Sequence, residues 1–184
     1  TTGRDITGVN LFENVRKQGA LNLDGNSWAE VHDNASLDMT SAITLEAWID
    51  NTNTYDSIRY LFDKSDNSTN GFEFRLFSQT GAQLVFRSLT PISITASIPS
   101  SGWVHIVGIY DGANTKIYVN GVINSTLSAT GTITANNYPL TIGGDIQNSN
   151  YSLNKPIAQP RIYNRALTAA EVLQNYNATK TLYI

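Results

Sequence analysis

The sequence predicts an all-β protein: one sandwich of two antiparallel sheets with a short helix near its C-terminus. About a dozen short apolar or alternating segments, separated by turn residues, follow one another through the 184 residues. One of them, Trp103–Tyr110, is apolar on both faces, which is typical of a strand covered from both sides. The single helix signature comes after the last strand, whereas a βαβ protein would alternate strands and helices.

The N-terminal part is predicted to form an arm followed by two short strands. Residues 1–19 show weak periodicity and are expected to form an arm with one short edge strand, and the sandwich domain is predicted over residues 20–184. Residues 20–24 alternate apolar and polar side chains, which predicts a strand. Gly25-Asn26 supplies turn chemistry, and residues 28–32 are predicted to return as the second strand of a hairpin.

Ile43–Asp50 is predicted to be a strand with two distinct faces. Its odd-numbered positions, from Ile43 to Ile49, are all apolar, whereas its even-numbered positions include Thr44 and Glu46. The following region alternates in the same way between polar loops. Further strands are predicted over residues 58–64, 71–78, 83–88 and 92–98.

Three strands in the middle of the chain are predicted to form a meander. After Trp103–Tyr110, residues 111–114 supply a turn and residues 116–119 a second strand. Asn120-Gly121 is a strong hairpin signal, because both central residues of a type I′ turn need positive φ. Residues 122–127 are predicted to return as the third strand. The last two strands are predicted over residues 140–142 and 157–163.

The one predicted helix spans residues 168–177. It opens with Thr168 and Glu171 in the spacing of a capping box, in which each side chain accepts a backbone N–H from the other residue. Val172, Leu173 and Tyr176 form a short apolar stripe. We therefore expect this helix to lie on the sandwich.

The composition excludes several classes of function. Charged residues make up 15% of the chain, below the usual share of about 25%, and the net charge of −3 comes without any basic run. Nucleic acid is therefore not expected as a partner. No apolar run approaches the roughly 18 residues of a membrane span, so membrane insertion is not expected either. The absence of cysteine excludes disulfides and thiolate chemistry.

The order of the motifs resembles the laminin G-like, concanavalin A-like lectin/glucanase superfamily. The resemblance starts near residue 20, runs to the C-terminus and implies a two-sheet jelly-roll sandwich. Its C-terminal motif also resembles modules of tailed-phage virion proteins. The matching segments are ALNLDGNSWAEV, ITLEAWI, LFDKSDNSTNGFEFRL, GWVHIVGIYDGANTKIYVNG, LTIGGD and RIYNRALTAAEVLQNYNATK.

This resemblance implies a non-catalytic recognition or adhesion module. Its expected partners are glycans or surface polysaccharides, and its expected location is extracellular or on a virion surface. One alternative is a virion structural or decoration protein that contacts other virion or surface proteins, with the N-terminal arm adding a strand to a neighbouring sheet. A second alternative is a glycoside hydrolase.

The resemblance also implies a calcium site. The acidic residue of its first L-D-G motif corresponds to Asp24. The acidic pair that often precedes R-I-Y is missing, since Ala158 and Gln159 occupy those positions. Calcium takes about six to eight oxygen ligands. Asp24 and Asn26, with nearby backbone carbonyls, are therefore the candidate ligands.

The carboxylate pattern argues against catalysis. Glycoside hydrolysis needs two carboxyl groups about 5–9.5 Å apart. Residues two or four apart on a strand share a face, but no two of the five glutamates have that spacing, so only distant strands can supply such a pair. No G-x-S-x-G motif occurs, and neither histidine has the spacing of a metal motif. We therefore expect no catalytic residues.

The histidines and tryptophans are predicted to be mainly structural. His105 lies within a strand and is expected to be buried and hydrogen-bonded, whereas His32 adjoins a loop and is expected to be solvated. Trp48 and Trp103 lie in strands and are expected in the core. Trp28 fits either the core or a sugar-stacking position.

The candidate ligand-binding residues lie on polar strand faces and in the adjoining loops. Glu73 and Arg75 share one strand face, and Arg87 lies on the neighbouring predicted strand, two positions from Val85. Guanidinium groups can hydrogen-bond sugar hydroxyls or a carboxylate. The alternative is an ordinary solvated face with cross-strand ion pairs. The complete set of candidates is Tyr55, Arg59, Glu73, Arg75, Arg87 and Tyr151.

Overall fold

The computed structural model describes residues 19–52, 54 and 57–184. Within them the chain forms twelve strands, one α-helix and three 3₁₀ turns. The strands are β1 Ala20–Asn22, β2 Ala29–Val31, β3 Ile43–Asp50, β4 Arg59–Ser65, β5 Gly71–Ser78, β6 Gly81–Phe86, β7 Ser93–Ser97, β8 Trp103–Tyr110, β9 Asn114–Val119, β10 Val122–Ser128, β11 Leu140–Ile142 and β12 Pro156–Tyr163. The helix α1 is Ala169–Thr179, and the 3₁₀ turns are Ala35–Leu37, Ser149–Tyr151 and Lys180–Leu182.

Two six-stranded antiparallel sheets face each other. The first has the order β1-β12-β3-β8-β9-β10, and the second has the order β2-β11-β4-β5-β6-β7. This confirms the all-β sandwich with one short C-terminal helix. The N-terminal arm, apart from Gly19, lies outside the described residues, as does Tyr55, and the division between arm and domain stays a prediction.

The core between the sheets is built from the apolar faces that alternation predicts. Ile43, Leu45, Ala47 and Ile49 of β3 are fully buried in it. Gly108 on β8 allows the closest approach of the layers, because an added Cβ would lie 2.9 Å from Leu84 of the second sheet. The other large buried side chains of the core come mainly from the second sheet: Leu61, Phe62, Phe72, Phe74, Leu76, Leu84 and Phe86.

The opposite face of the central strand β8 is covered by the C-terminal segment. Val107 and Ile109 of this strand pack against Leu167 and Val172. Strand β8 is therefore covered on both sides, as its apolar run predicts.

One predicted pairing is wrong. β1 and β2 do not form a hairpin, because Ala20 pairs with Ala158 in the first sheet and Ala29 pairs with Ile142 in the second. Gly25 lies between them with φ of 84°, and its N–H donates to the carbonyl of Leu153 at 3.1 Å. The turn thus carries the chain from one sheet to the other instead of reversing it within a sheet.

The helix begins as its capping box predicts. Thr168 Oγ1 accepts the backbone N–H of Glu171 at 3.2 Å, and Glu171 Oε2 accepts the backbone N–H of Thr168 at 2.8 Å. Arg165 Nη2 also donates to Glu171 Oε1, at 2.7 Å. The helix extends to Thr179, two residues beyond the predicted end. No helix in the described ranges is both long and apolar enough to cross a membrane.

A buried carboxylate joins the helix to the first sheet. Glu46 Oε1 on β3 accepts from His105 Nε2 at 2.9 Å and from Arg161 Nη1 at 3.3 Å. Glu46 Oε2 accepts from the Tyr163 hydroxyl at 3.1 Å and from Asn175 Nδ2 at 2.9 Å. Three strands and α1 therefore meet at one charged group, and the buried, hydrogen-bonded role predicted for His105 is confirmed.

The three tryptophans differ in their surroundings. Trp48 is buried under α1, where its indole N–H donates to Thr179 Oγ1 at 3.0 Å. Trp103 is half-buried, with its ring 4.7 Å from that of Tyr183. Trp28 is half-buried over Gly144. His32 is solvent-exposed, as predicted.

The Glu46 cluster predicts a particular dependence of stability on pH. Burial acts to raise the pKa of Glu46, but the His105 hydrogen bond and the Arg161 charge outweigh it and hold the pKa below 4.5. The carboxylate therefore contributes stability that is present above about pH 4.5 and is lost as pH falls through the folded-state pKa. We expect Glu46→Gln to lower the free energy of unfolding by about 3 kcal/mol at pH 7.

Urea unfolding at pH 7 and pH 4 measures this effect. The difference between the wild type and the variant should be smaller at pH 4. Glu30→Gln, which changes a surface carboxyl, is the matched control and should stay near the wild type at both values. Equal stability of Glu46→Gln and wild type at pH 7 would show that the cluster does not hold the helix.

Candidate functional site

The outer face of the second sheet carries a row of polar side chains. In β5, Phe72, Phe74 and Leu76 are buried in the core, so Glu73 and Arg75 lie on the opposite face. Antiparallel register extends this face across the neighbouring strands. One row runs through Thr141, Asp63, Glu73, Val85 and Ser93, and the next through Tyr60, Arg75, Gln83 and Thr95.

Two guanidinium groups pair with one buried carboxylate at the centre of this face. The Glu73 side chain is fully buried, whereas those of Arg75 and Arg87 are 15% and 18% exposed. Arg75 Nη1 donates to Glu73 Oε2 at 2.7 Å, and Arg87 donates to Oε1 through Nε at 2.5 Å and through Nη2. The three side chains together carry one net positive charge, which the arginines present toward solvent.

Neighbouring side chains fix the plane of the Arg75 guanidinium. Its Nε and Nη2 donate to Gln83 Oε1 at 2.9 and 2.8 Å, and its Nη1 donates to the Tyr60 hydroxyl at 3.1 Å. Burial, with the nearby charge of Glu73, raises the pKa of Tyr60, so this hydroxyl stays protonated and keeps its hydrogen for donation. The guanidinium is thus held in place before any ligand arrives.

Tyr151 extends the face at one end, and Arg59 lies at the adjoining rim of the sheet. Arg59 Nη1 donates to the backbone carbonyls of Ile58 and Asn150 at 2.9 and 3.0 Å. The Tyr151 ring lies 6.0 Å from the Tyr60 ring, which stacks in turn under Arg75. The predicted candidates that the structure brings together on this face are Glu73, Arg75, Arg87 and Tyr151. Arg59 is not on it by register, because its cross-strand partner is the core residue Leu76.

Asp63 lies beside Glu73 on the neighbouring strand and is almost fully buried. Among the described residues, nothing hydrogen-bonds to its Oδ1. Burial raises the pKa of Asp63 to about 8; the charges of Glu73 and Asp145 act in the same direction, while the Ser65 hydroxyl opposes them. Asp63 is therefore mostly neutral at pH 7.

The sequence analysis missed Tyr60, Gln83 and Asp63. Tyr60 lies on this face because it pairs with Arg75, and the β-bulge between residues 60 and 62 brings Asp63 onto the same face although it is three residues further on. Gln83 and Asp63 face their partners through cross-strand register. Register depends on which strands pair, and the sequence alone does not give it for distant segments.

Asp24 and Asn26, the candidate calcium ligands, lie in an exposed turn. Asp24 Oδ1 accepts the N–H of Asn26 at 2.9 Å and the Ser27 hydroxyl at 2.8 Å. These donors, with the Asn26 N–H contributing most, lower the pKa of Asp24. Across the described residues, no three His, Cys, Asp or Glu side chains are grouped so that they could hold a metal ion. Asp24 thus stabilises the turn, and a calcium site there stays a prediction.

Comparison with solved structures finds several binding domains with the same fold. The binding domain of Paraclostridial Mosquitocidal Protein 1 is 21% identical with a TM-score of 0.64, and the match covers 88% of this chain and 46% of that one. The CBM40 of the Ruminococcus gnavus IT-sialidase is 13% identical with a TM-score of 0.67, covering 85% and 96%. Domain 4 of AbnA, a GH43 extracellular arabinanase from Geobacillus stearothermophilus, is 21% identical with a TM-score of 0.65, covering 84% and 75%.

These structural matches establish the fold alone, and the chain spans less than half the length of the mosquitocidal binding domain. No curated protein matches the sequence. The sequence profile of the concanavalin A-like lectin/glucanases superfamily, however, matches residues 23–173, which is most of the chain. The motif order, the two-sheet sandwich and this match agree, and the protein belongs to the concanavalin A-like lectin/glucanases superfamily.

Proposed function

We propose that the protein is a non-catalytic recognition module that binds glycans at an extracellular or virion surface. The observation that carries this proposal is the pair of partly exposed arginines, Arg75 and Arg87, held over the buried Glu73. We infer that the ligand lies on the outer face of the second sheet, between these arginines and Tyr151.

The chemistry of this face fits a sugar ligand. A sugar offers hydroxyl groups in fixed directions, and charge-assisted hydrogen bonds from a guanidinium are stronger than neutral ones. Arg75 is already positioned by Gln83 and Tyr60, so little side-chain entropy is lost when a ligand binds. The Tyr151 ring, half-buried at the end of the face, provides an apolar surface against which the C–H groups of a sugar ring can pack.

The names of structural neighbours support the same class of ligand. Solved structures include the Ruminococcus gnavus module bound to α2,3-sialyllactose and the arabinanase domain in complex with arabinotriose. Another neighbour is botulinum neurotoxin type C, whose cell entry depends on interaction with two ganglioside molecules. All of these ligands contain sugars, which favours a glycan as the ligand of this chain.

The burial of the two neighbouring carboxyl groups favours binding without hydrolysis. Two adjacent carboxyl groups, one of them on the mostly neutral Asp63, resemble the acid and base pair of a glycosidase. However, both side chains are almost fully buried, and two arginines pair with Glu73. A glycosidic bond cannot approach groups that other side chains cover.

A protein-docking role is the second candidate, and an exposed strand edge favours it. Among the described strands of the first sheet, β10 pairs only with β9, and it exposes Val122, Ile123 and Leu127. An edge of this kind can accept a strand from another chain. In this role the protein would act as a virion structural or decoration protein.

The first test of glycan binding is a glycan array followed by calorimetry. We expect Arg87→Gln to weaken binding of the array's best ligand about 10-fold or more, because it removes charge-assisted hydrogen bonds. Lys116→Gln removes the same charge on β9, away from the face, and should bind within about 2-fold of the wild type. Absence of carbohydrate binding by wild type, together with a solution mass that rises with concentration, would favour docking instead.

The raised pKa of Asp63 predicts that the variant Asp63→Asn becomes more stable relative to wild type as the pH rises. Because its folded pKa of about 8 lies above the unfolded value of 3.8, its contribution to stability is complete below pH 3.8 and is lost as pH rises through 8. We therefore expect Asp63→Asn to gain stability relative to wild type between pH 5 and pH 9, as measured by urea unfolding. Its glycan affinity should be retained.

Asp111→Asn is the matched control for this pH series. Burial acts to raise the pKa of Asp111, but Lys116 and two backbone N–H groups hold it below 3.8, so this carboxyl does not titrate between pH 5 and pH 9. Its difference from wild type should stay constant over that range. If the difference in unfolding free energy between Asp63→Asn and wild type were also constant from pH 5 to pH 9, Asp63 would be ionised at neutral pH.

Calcium binding at Asp24 and Asn26 is tested by thermal unfolding. If the site exists, the melting temperature should rise when millimolar calcium replaces a chelator, because a ligand of the folded state stabilises it. Asp24→Asn should abolish that rise. A melting temperature that is the same with calcium and with chelator would exclude a calcium site there.

A further inference from the structure

The outer face of the second sheet continues into a cleft of about 300 Å³ at the end away from Arg87. The cleft lies between the β5–β6 hairpin and strand β10 of the other sheet. Its volume is at the lower end of the range for small-molecule sites, which is enough for a small ligand group. The lining residues are Phe77, Ser78, Thr80, Gly81, Thr95, Ala96, Ser97, Asn124 and Ser125.

A large aromatic side chain forms one wall of this cleft without entering the core. Phe77 is 42% exposed, whereas the preceding residue of the strand, Leu76, is fully buried in the core. A β-bulge between residues 76 and 78 accompanies this outward position. The ring lies over Gly81, where an added Cβ would be 2.4 Å from the Phe77 Cζ atom. The absence of a side chain at Gly81 therefore leaves room for the ring.

The rest of the lining is polar but uncharged. Every other lining residue is small or carries a hydroxyl or amide group, and the described lining holds no ionisable side chain. Asn124 holds the two sheets together here, since its Nδ2 donates to the Ser97 carbonyl at 3.2 Å and its Oδ1 accepts the Ser97 N–H at 3.3 Å. An aromatic ring beside hydroxyl groups is chemically suited to a neutral, hydroxylated ring.

The cleft is continuous with the arginine pair. Phe77 lies two residues beyond Arg75 on β5, a separation of about 7 Å along a strand. Thr95 of the cleft is the cross-strand neighbour of Gln83, which binds the Arg75 guanidinium. A ligand held at Arg75 can therefore reach Phe77 with its next sugar residue.

We propose that the Phe77 cleft is a second subsite, which takes a neutral sugar residue linked to the one held at Arg75 and Arg87. The inference rests on the proposed glycan binding and extends it: the ligand is an oligosaccharide of two or more residues. The arginine end selects a hydroxyl-rich or acidic sugar residue, whereas the Phe77 end adds affinity because its ring stacks against the next sugar ring.

Two pairs of probes separate the subsites. They are free sialic acid against α2,3-sialyllactose, and arabinose against arabinotriose, each measured by calorimetry. We expect wild type to bind the longer member of at least one pair more tightly. Phe77→Ala should weaken the longer member by about 2- to 10-fold, as expected for loss of one aromatic contact, and leave the shorter one unchanged. Arg87→Gln should weaken both members alike.

Phe77→Tyr keeps the ring and is the matched control, which should bind both members like the wild type. Because Phe77 is half-exposed, its variants should keep the wild-type melting temperature. Sugar binding that is equal for short and long probes, or a length effect that survives in Phe77→Ala, would overturn the second subsite while leaving glycan binding in place. Failure of wild type to bind any of the four probes or any glycan on the array would overturn both.

Discussion

The ion pairs between Glu73 and the two arginines organise the outer face of the second sheet. A fully buried carboxylate would be costly without partners, and here each oxygen accepts from a guanidinium. The same hydrogen bonds fix both arginines, and Arg75 in turn contacts Gln83 and the ring of Tyr60. Removing Glu73 would therefore release the binding groups themselves, even though Glu73 lies too deep to touch a ligand.

The first sheet contains a similar buried glutamate with a different outcome. Glu46 also lies on an outer face, but its four donors include one from α1, and the helix covers it. Around Glu73, none of the described helices covers the sheet, and the two arginines that pair with it stay partly exposed to solvent. A buried glutamate thus attaches the helix to the first sheet, and a second buried glutamate holds two arginines on the outer face of the second sheet.

The sequence predicted much of this arrangement through alternation. Glu73 and Arg75 could be placed on one face because residues two apart share a side of a strand, and the capping residues Thr168 and Glu171 were recognisable from their spacing. Pairing between distant strands was not accessible in the same way. The contacts of Gln83 with Arg75 and of Asp63 with Glu73 depend on register, and β1 and β2 were wrongly paired because a local turn does not specify the sheet of the returning strand.

Under the proposed function, access to the carboxyl groups, more than their protonation state, is what separates recognition from hydrolysis. Burial keeps Asp63 largely protonated, and a second carboxyl group, that of Glu73, lies beside it, so the pair resembles the two carboxyl groups that acid–base chemistry needs. However, two arginines occupy the oxygens of Glu73. An attacking water or a leaving group would have to displace them, and the binding face would lose its cations in doing so. The ion pairing that makes the face suitable for holding a sugar therefore makes it unsuitable for cleaving one.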